Sequence, residues 1–375
     1  MKIVLTGGGT GGHFYPLIAV AEEINRITKD EKLLTPQLYF LSDAEYDPRA
    51  LMENNITFIN VPAGKLRRYF SILNITDVFK TAYGMVSAFI SMFRLFPDIV
   101  FSKGAYSSFP VLFAARILNI PVVIHESDSV PGKTNLWSGK FARRIAISYS
   151  EVANYFDDKK VAITGTPIRK EISTPVSTGA REFLRLEEGT PVILILGGSQ
   201  GSQIINETIL DALPDLVSRY EVIHQTGESN FTEVTKTASF MLENSEFKSR
   251  YKPFDHLNNL ALSMSAGVAD LIVTRAGSTL FEIARWGIPS IVIPITDSNG
   301  DHQRQNAFNY ARTGGAIVLE ENNLTPHVLV AEINRLIDNP SIRDQMKKGA
   351  KSFDHPNAAE KIAREILGIA LTHEE

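Results

Sequence analysis

The chain has 375 residues, a length that favours two domains over one ordinary core. Hydrophobic residues make up 44% and charged residues 21% of the chain, which is typical of a globular protein and excludes a fibrous or disordered one. The net charge of −4 offers no general positive field for nucleic acid, and the absence of cysteine excludes disulfides and cysteine-based metal sites.

The sequence predicts neither a signal peptide nor a membrane span. The apolar stretch before the first glycines is too short for a signal peptide, and no uninterrupted apolar run reaches about 18 residues. The lack of cysteine fits a reducing compartment. We therefore expect a cytoplasmic enzyme with no nucleic-acid partner.

Short apolar runs alternate with helical patterns along the chain. The first series of predicted strands comprises residues 2–6, 37–41, 57–61, 98–102, 121–125, 144–148 and 161–164. The second series comprises residues 192–196, 221–224, 271–274, 290–294 and 316–319. Continuous apolar strands separated by helices indicate parallel sheets covered on both faces. We therefore predict an α/β fold with two doubly wound parallel-sheet domains.

The two series are expected to meet near Gly165-Thr166-Pro167, where a strand ends in a turn of small residues and proline fixes the chain. This divides the chain into an N-terminal domain over residues 1–164 and a C-terminal domain over residues 165–355. Residues 356–375 have the apolar spacing of an amphipathic helix.

A glycine-rich turn follows the first strand. Gly7 to Gly12 satisfies the pattern G-x-G-x-x-G, which lets backbone N–H groups approach an anion at a helix N-terminus. A dinucleotide fingerprint also needs an acid about 20 residues further on, and the nearest strand-end acid, Asp43, comes later. An anion site and a tight turn that binds nothing are both open, and His13 next to the turn fits either packing or catalysis.

A second turn of the same kind, Gly197 to Gly201, follows the first strand of the second series. Its Ser199 hydroxyl and Gln200 amide suit phosphate oxygens, although a plain turn is again the alternative. Ligands of such sheets bind beyond the carboxyl ends of the strands. The two turns are therefore expected to face each other across a cleft between the domains.

Residues 274–282 end a strand, turn at glycine and begin a helix with hydroxyl residues. Thr279 and Glu282 have the spacing of a capping box, and spacing alone favours that structural role. The functional alternative is that Glu282 accepts the hydroxyls of a ribose while the helix N-terminus holds a diphosphate.

Residues 301–306, DHQRQN, lie after another strand, and their amides suit sugar hydroxyls. The alternative for this stretch is a polar helix start without a ligand.

Residues 66–96 interleave cations with aromatic and aliphatic side chains. The cations in and beside this segment are Lys65, Arg67, Arg68, Lys80 and Arg94. Such a pattern suits the surface of an anionic membrane. A helix packed on its own sheet is the structural alternative.

Seven motifs, in order along nearly the whole chain, resemble those of the MurG family of peptidoglycan N-acetylglucosaminyltransferases. The motifs are GGGTGGHFYP, SKGAYSSFP, IHESDSVPGKTN, GTPIR, GGSQGSQIIN, TRAGSTLFEIARWGIPSIVIP and DHQRQNA. The resemblance implies a GT-B fold of two Rossmann-like domains facing a cleft, with a C-terminal helix that crosses back to the first domain.

The resemblance also implies the reaction. It is an inverting transfer of N-acetylglucosamine from UDP-N-acetylglucosamine to the undecaprenyl-linked acceptor lipid I, giving lipid II, with no metal and no cofactor. The first domain would face the acceptor and the inner surface of the cell membrane, with residues 66–96 as the docking segment. The second domain would bind the UDP sugar.

The resemblance implies substrate contacts at Thr10, Gly11, Gly12, Asp128, Arg169, Ser199, Asp255, Ser278, Thr279, Glu282 and Gln303. Arg169 and Ser199 would face the diphosphate, and backbone groups near Phe254 and Asp255 would contact uracil. Glu282 would bind the ribose and Gln303 the sugar hydroxyls. The turn from Gly277 to Glu282 is one residue shorter than the common family pattern.

Displacement at the anomeric carbon needs a base for the acceptor hydroxyl and positive potential for the leaving UDP. We expect His13 to be the base, with Asp128 or Glu126 as the substitute. The family commonly has His-Glu-Gln-Asn where this chain has His-Glu-Ser-Asp at 125–128, so an amide near the sugar becomes a carboxylate.

Four other functions are open on the sequence. They are glucosylation of diacylglycerol by a related lipid glycosyltransferase, epimerisation of a UDP sugar without an acceptor, NAD-dependent oxidation and non-catalytic binding of a sugar nucleotide. An NAD enzyme would leave the second glycine turn and the DHQ stretch unexplained.

Overall fold

The computed structural model describes residues 1–64, 73–198 and 201–373. The chain divides into two compact units, Met1–Arg169 with His355–Glu375, and Lys170–Asp354. In the described part of the chain, no helix combines the length and apolar character that crossing a bilayer requires.

The strands of the first unit are β1 (Lys2–Thr6), β2 (Gln37–Ser42), β3 (Ile56–Asn60), β4 (Ile99–Ser102), β5 (Val122–Glu126), β6 (Arg144–Ile147) and β7 (Val161–Ile163). Those of the second unit are β8 (Val192–Leu196), β9 (Glu221–Gln225), β10 (Tyr251–Phe254), β11 (Leu271–Thr274), β12 (Ser290–Val292) and β13 (Ala316–Val318).

The helices are α1 (Gly11–Asp30), α2 (Pro48–Glu53), α3 (Leu73–Leu95), α4 (Phe109–Ile117), α5 (Lys133–Ser138), α6 (Lys170–Ser173), α7 (Ala180–Leu184), α8 (Gln203–Arg219), α9 (Phe231–Met241), α10 (Asn259–Val268), α11 (Thr279–Trp286), α12 (His302–Ala311), α13 (Pro326–Ile337), α14 (Pro340–Ser352) and α15 (Ala358–His373).

The two sheets share the order of six strands, and the first sheet has a seventh strand, β7, at one edge. The first runs β3-β2-β1-β4-β5-β6-β7 and the second β10-β9-β8-β11-β12-β13, and the strand pairs described in both are parallel. In each sheet the direction in which successive strands are added reverses beside the strand that comes first in the chain. This point lies between β1 and β4 in the first sheet and between β8 and β11 in the second. Ligands of doubly wound sheets bind at this switch point, beyond the carboxyl ends of the strands. The α/β doubly wound architecture predicted from the sequence is confirmed.

The core of the first unit lies between its sheet and the helices α1 and α15. Ile3 and Leu5 of β1 and Ile24 of α1 are fully buried, as is Ile366 of α15. Burying one such side chain stabilises the fold by roughly 1.5–3 kcal/mol. An ion pair between Arg364 and Glu31, 2.7 Å apart, adds to the contact of α15 with α1.

Local capping sets several helix starts. The side chain of Asp47 accepts a hydrogen bond from the backbone N–H of Ala50 at 3.1 Å, and Pro48 supplies the first helical residue of α2. Ser202 caps α8 in the same way, directly after the second glycine turn.

The twelve predicted strands are present within two residues at each end, and one further strand, β10, was not predicted. Its sequence YKPF is short and contains Pro253, which cannot donate to a sheet ladder. Because β10 lies at the edge of its sheet, the missing donor is tolerated there.

Candidate active site

The first glycine turn follows β1 at the switch point of its sheet. Gly8 and Gly9 have φ angles of 147° and 80°, which side chains rarely adopt. A Cβ atom at Gly8 would lie 2.6 Å from the hydroxyl of Ser42, and one at Gly9 would lie 3.3 Å from the ring of Tyr106. Both positions therefore favour glycine for their conformation, and at Gly8 a side chain would also collide with Ser42.

Two side chains border this turn from neighbouring elements. The Ser42 hydroxyl donates to the carbonyl of Gly7 at 2.8 Å, and the Tyr106 hydroxyl donates to Asp43 at 2.9 Å. Burial, together with the hydrogen bond to Asp43, raises the pKa of Tyr106 to about 12. Asp43, which was considered as the acid of a dinucleotide site, is thus held by a tyrosine of the same unit.

His13 is the third residue of α1, and Thr10 precedes that helix in an extended conformation. The Thr10 hydroxyl lies 2.9 Å from His13 Nδ1. In the tautomer in which Nδ1 donates to this hydroxyl, Nε2 carries the lone pair that a general base needs. The half-buried ring is therefore oriented by its own turn.

The two carboxylates predicted as substitute bases, Glu126 and Asp128, lie in the segment 126–132, the acidic loop, which comprises the last residue of β5 and the loop that follows it. Glu126 is 4% exposed and accepts hydrogen bonds from the N–H groups of Asp128 and Gly132 and from the amide of Asn135, at 2.9–3.0 Å. Burial raises the pKa of Glu126, the charge of Asp128 adds to this effect, and Lys103 opposes it. Glu126 thus shapes the loop, whereas Asp128 is half-exposed.

His125 is fully buried beside this loop. Its Nε2 atom lies 3.0 Å from the carbonyl of Gly165, to which the neutral ring can donate. Burial, reinforced by the charge of Lys103, lowers the pKa of His125 well below its usual value. This histidine therefore stays neutral and links the acidic loop to the turn after β7.

Arg169, a predicted ligand of the diphosphate, is the last residue of the first unit before α6 and is 8% exposed. Its guanidinium carbon lies 3.6 Å from the ring centroid of Tyr15 on α1, a cation–π contact. The Tyr15 hydroxyl donates to Asp47 at 3.3 Å, and burial raises its pKa to about 12 although Arg169 opposes the shift. The structure thus brings Arg169 to the helix that begins at the first glycine turn.

The second glycine turn follows β8 at the other switch point. Gly198 has a φ of 90°, and a Cβ atom there would meet none of the described residues within 4 Å. Gly201 has a φ of 75°, and a Cβ atom there would collide with the carbonyl of Thr226. Ser199 and Gln200 lie outside the described residues. The open space beside Gly198 would allow a ligand to approach the backbone of this turn.

Helix α11 begins at Thr279, so Thr279 is not its cap. Ser278 precedes the helix with helical backbone angles and makes no side-chain capping bond. The capping box predicted from the spacing of Thr279 and Glu282 is therefore wrong, because the helical turn already starts at Gly277, whose carbonyl accepts from Leu280 at 3.2 Å. Glu282 is half-exposed in the first turn of this helix.

A largely buried ion pair that the sequence did not reveal, with side chains 11% and 15% exposed, braces this part of the second unit. Arg275, directly after β11, lies 2.7 Å from Glu321 and donates to the carbonyl of Ile293 at 3.0 Å. Glu321 also accepts from the N–H and hydroxyl of Thr296, at 2.8 and 2.6 Å. Gln303, the predicted sugar ligand, is half-exposed at the start of α12 beside the same loop.

Two predicted contacts of the second unit already have partners in the protein. The Gln303 amide oxygen accepts from the N–H of Ile295 at 3.2 Å, which leaves its NH₂ group to donate. The carbonyl of Phe254 accepts from the N–H of Thr226 at 2.9 Å. Asp255 is exposed at the end of β10, and its carboxylate accepts from the N–H of His256 at 2.6 Å.

The sequence matches the glycosyltransferase family 28 N-terminal domain over residues 3–147 and the family 28 C-terminal domain over residues 192–362. A protein of Treponema denticola, named UDP-N-acetylglucosamine--N-acetylmuramyl-(pentapeptide) pyrophosphoryl-undecaprenol N-acetylglucosamine transferase, is 35% identical over 368 residues, which cover 93% of this chain and 92% of that protein. The chain belongs to glycosyltransferase family 28.

Solved structures share the fold of this family 28 protein. The crystal structure of Acinetobacter baumannii MurG superposes with a TM-score of 0.70 at 24% identity, covering 98% of this chain and 99% of that one. A putative UDP-N-acetylglucosamine 2-epimerase of Listeria monocytogenes superposes with a TM-score of 0.71 at 14% identity, covering 100% and 97%. At these identities the two structures support the fold alone, because one fold hosts many activities.

Proposed function

We propose that this family 28 protein transfers N-acetylglucosamine from UDP-N-acetylglucosamine to undecaprenyl-pyrophosphoryl-N-acetylmuramoyl-pentapeptide, which converts lipid I to lipid II in peptidoglycan synthesis. The observation that carries the proposal is the 35% identity to the Treponema denticola transferase over 93% of this chain and 92% of that protein. Transfer of radiolabelled N-acetylglucosamine to a lipid I analogue is its direct test.

The donor contacts are assigned to the carboxyl edge of the second sheet. Gly198 and Gly277 leave open space at two turns, and α11 directs its N-terminal N–H groups toward the second of them. We assign the diphosphate to these turns, together with Ser199. Glu282 would then bind the ribose hydroxyls and Gln303 would donate to the sugar.

Further donor contacts are assigned by the family pattern. Ser278 and Thr279 lie at the start of α11, and backbone groups near Asp255 would contact uracil. In the first unit, Thr10, Gly11, Gly12 and Arg169 would meet the phosphates and the reacting sugar.

The acceptor hydroxyl is assigned to the carboxyl edge of the first sheet, with His13 as the base. Thr10 orients the imidazole, and the half-exposed Asp128 is the alternative base. Glu126 is the weaker substitute because three donors of the protein already bind its two oxygens.

Helix α3 is the docking surface proposed for the membrane that holds the acceptor. Its packed face consists of the small or slender residues Gly84, Ala88 and Met92, and a Cβ at Gly84 would collide with the carbonyl of Pro62. Its outer face carries exposed apolar side chains, namely Val78, Phe79, Tyr83, Val86, Ile90 and Phe93. An exposed apolar face of this size suits insertion at a lipid surface.

The rest of the predicted docking segment, residues 65–72 with Arg67 and Arg68, lies outside the described residues. Lys80 and Arg94 are exposed on α3 and supply positive charge beside the apolar face. We therefore propose that the protein acts at the inner face of the cell membrane, with anionic lipid as the partner of this helix.

Replacing both Phe79 and Phe93 with serine is expected to lower the fraction of protein that sediments with anionic vesicles several-fold. Phe79 is 71% exposed and Phe93 is 63% exposed, so the fold loses little. Phe240, 79% exposed in the second unit, is the matched control, and Phe240→Ser should leave sedimentation unchanged. Equal sedimentation of the double variant and the wild type would remove α3 as the docking surface.

A further inference from the structure

Lys103 is a buried cation at the switch point of the first sheet. It follows β4 directly, and its N–H donates to the carbonyl of Thr6 at 2.9 Å, which fixes its backbone beside the end of β1. Its side chain is 2% exposed and lies against the first glycine turn, where a Cβ at Gly7 would approach Lys103 Cβ to 3.1 Å. The residue therefore sits beneath the proposed acceptor site.

The ammonium group of Lys103 is directed to the acidic loop. Its Nζ atom donates to the hydroxyl of Ser127 at 2.7 Å, and Ser127 is itself 6% exposed. Burial lowers the pKa of Lys103, while the carboxylates of Glu126 and Asp128 oppose that shift. A buried ammonium is costly unless opposite charge and hydrogen bonds compensate it, and this loop supplies both.

The packing of Gly104, the residue after Lys103, also holds the turn after β4 against the loop after β5. Gly104 has a φ of 82°, and a Cβ there would lie 2.8 Å from the amide oxygen of Asn135. The amide nitrogen of Asn135 donates to the carbonyl of His125 and to Glu126, at 3.1 and 2.9 Å. The turn after β4 and the loop after β5 thus form one closely packed, hydrogen-bonded structure.

The second unit has a cation at the equivalent position. Ser102 pairs with Thr6 across β4 and β1, and Thr274 pairs with Leu196 across β11 and β8. Lys103 and Arg275 are each the next residue, directly after the strand that adjoins the first strand of the sheet. Arg275 braces its loop through Glu321, which indicates that a cation at this position holds a ligand loop in both units.

We propose that Lys103 is a positioning residue for the transfer reaction, which fixes Ser127, and through it the carboxylate of Asp128, beside the first glycine turn. This role rests on the proposed function, in which that edge of the sheet receives the acceptor hydroxyl. Serine at position 127 accepts the hydrogen bond from the ammonium, and Asp128 contributes negative charge opposite it. The side chains of Lys103, Ser127 and Asp128 therefore act together in this role.

The test is a double-mutant cycle on the full chain, with lipid I analogue as the acceptor. Lys103→Met keeps the length of the side chain and removes its charge and its donor. We expect kcat to fall about 10- to 100-fold, because small displacements of reacting groups have effects of this size. UDP binding should stay unchanged. In an Asp128→Asn background, Lys103→Met should lower kcat by less than about threefold, because the carboxylate through which Lys103 is proposed to act is already absent.

Two further variants separate positioning from stability. Ser127→Ala keeps the charges and removes only the acceptor of the hydrogen bond, so it tests the contact even where Lys103→Met does not fold. Thr28→Val removes a buried hydrogen bond of α1, from the Thr28 hydroxyl to Ile24 at 2.8 Å, and should leave kcat within twofold of the wild type. Hydrogen exchange of the Asp128 and Gly132 amides should become faster in Lys103→Met and not in Thr28→Val.

The outcomes distinguish this role from the proposed function. If the wild-type chain transfers the sugar and kcat is unchanged in Lys103→Met and in Ser127→Ala, the role of Lys103 is overturned and the proposed function is not. An equal loss in the wild-type and Asp128→Asn backgrounds would also overturn it, since it would show a general structural effect. A wild-type chain that transfers no sugar would overturn the proposed function, and this role with it.

Discussion

Replacing His13 with alanine is expected to lower kcat for sugar transfer by about 10²- to 10⁴-fold, while the affinity for UDP stays unchanged. This is the usual contribution of a positioned general base. The ring lies in the first turn of α1, and the Thr10 hydroxyl lies 2.9 Å from Nδ1, so we assign the role of proton acceptor to Nε2. Kinetics with saturating donor and acceptor, together with calorimetric titration of UDP, measure the two quantities.

His327 provides the matched control for this variant. It is exposed in the first turn of α13 in the second unit, so His327→Ala also removes a histidine side chain from the first turn of a helix. Its kcat should equal that of the wild type. If His13→Ala retains kcat within a few-fold of the wild type with UDP binding intact, His13 is not the base. Asp128→Asn then becomes the decisive variant.

Replacing Gly277 with alanine is expected to weaken UDP binding about 100-fold without destabilising the fold. A Cβ at Gly277 meets no atom within 4 Å in the part of the chain that the structure describes, and its φ lies outside the strained region. The added methyl group would instead occupy the space before α11, which we assign to the diphosphate. Displacing the phosphates removes one or two hydrogen bonds to a charged group, roughly 3 kcal/mol in total.

Gly368 in α15 is the matched control, because a Cβ there also meets nothing within 4 Å and its φ is unstrained. Gly368→Ala should leave UDP affinity unchanged and raise the free energy of unfolding slightly, since alanine favours helix over glycine by about 0.5–1 kcal/mol. Calorimetric titration and denaturant unfolding measure both variants. Unchanged UDP affinity in Gly277→Ala would place the diphosphate elsewhere.

The sequence predicted the strands and sheets of this protein better than the contacts of its candidate active site. Strands such as β1 and β8 are continuous apolar runs followed by glycine, so their position and their turns are visible in the pattern. The turn glycines follow from local conformation, as the positive φ angles of Gly9 and Gly198 show. These features depend on residues that are neighbours in sequence, and for that reason they could be predicted from the sequence alone.

The faces of α3 could not be predicted. Its spacing indicates an amphipathic helix, and the large apolar residues would ordinarily face the core. The structure buries Gly84 and Ala88 instead, because a helix that closely approaches Pro62 leaves no room for large side chains. This choice depends on a contact between segments that are distant in sequence.

The buried Lys103 and the largely buried Arg275 were not predicted, for a similar reason. Lys103 and Arg275 each follow an apolar strand, where a charged residue ordinarily marks the solvated end of that strand. Their burial follows from partners that come much later in the chain, Ser127 and Glu321. Spacing within one motif contains no information about such partners.

The transfer assay tests the central claim most directly. The wild-type chain is incubated with radiolabelled UDP-N-acetylglucosamine and a lipid I analogue, and in parallel with radiolabelled UDP-glucose and diacylglycerol. We predict labelled disaccharide lipid from the first mixture and no labelled lipid from the second. Labelled diacylglycerol, or an epimerised sugar formed from the donor without any acceptor, in the absence of transfer to the lipid I analogue, would contradict this account.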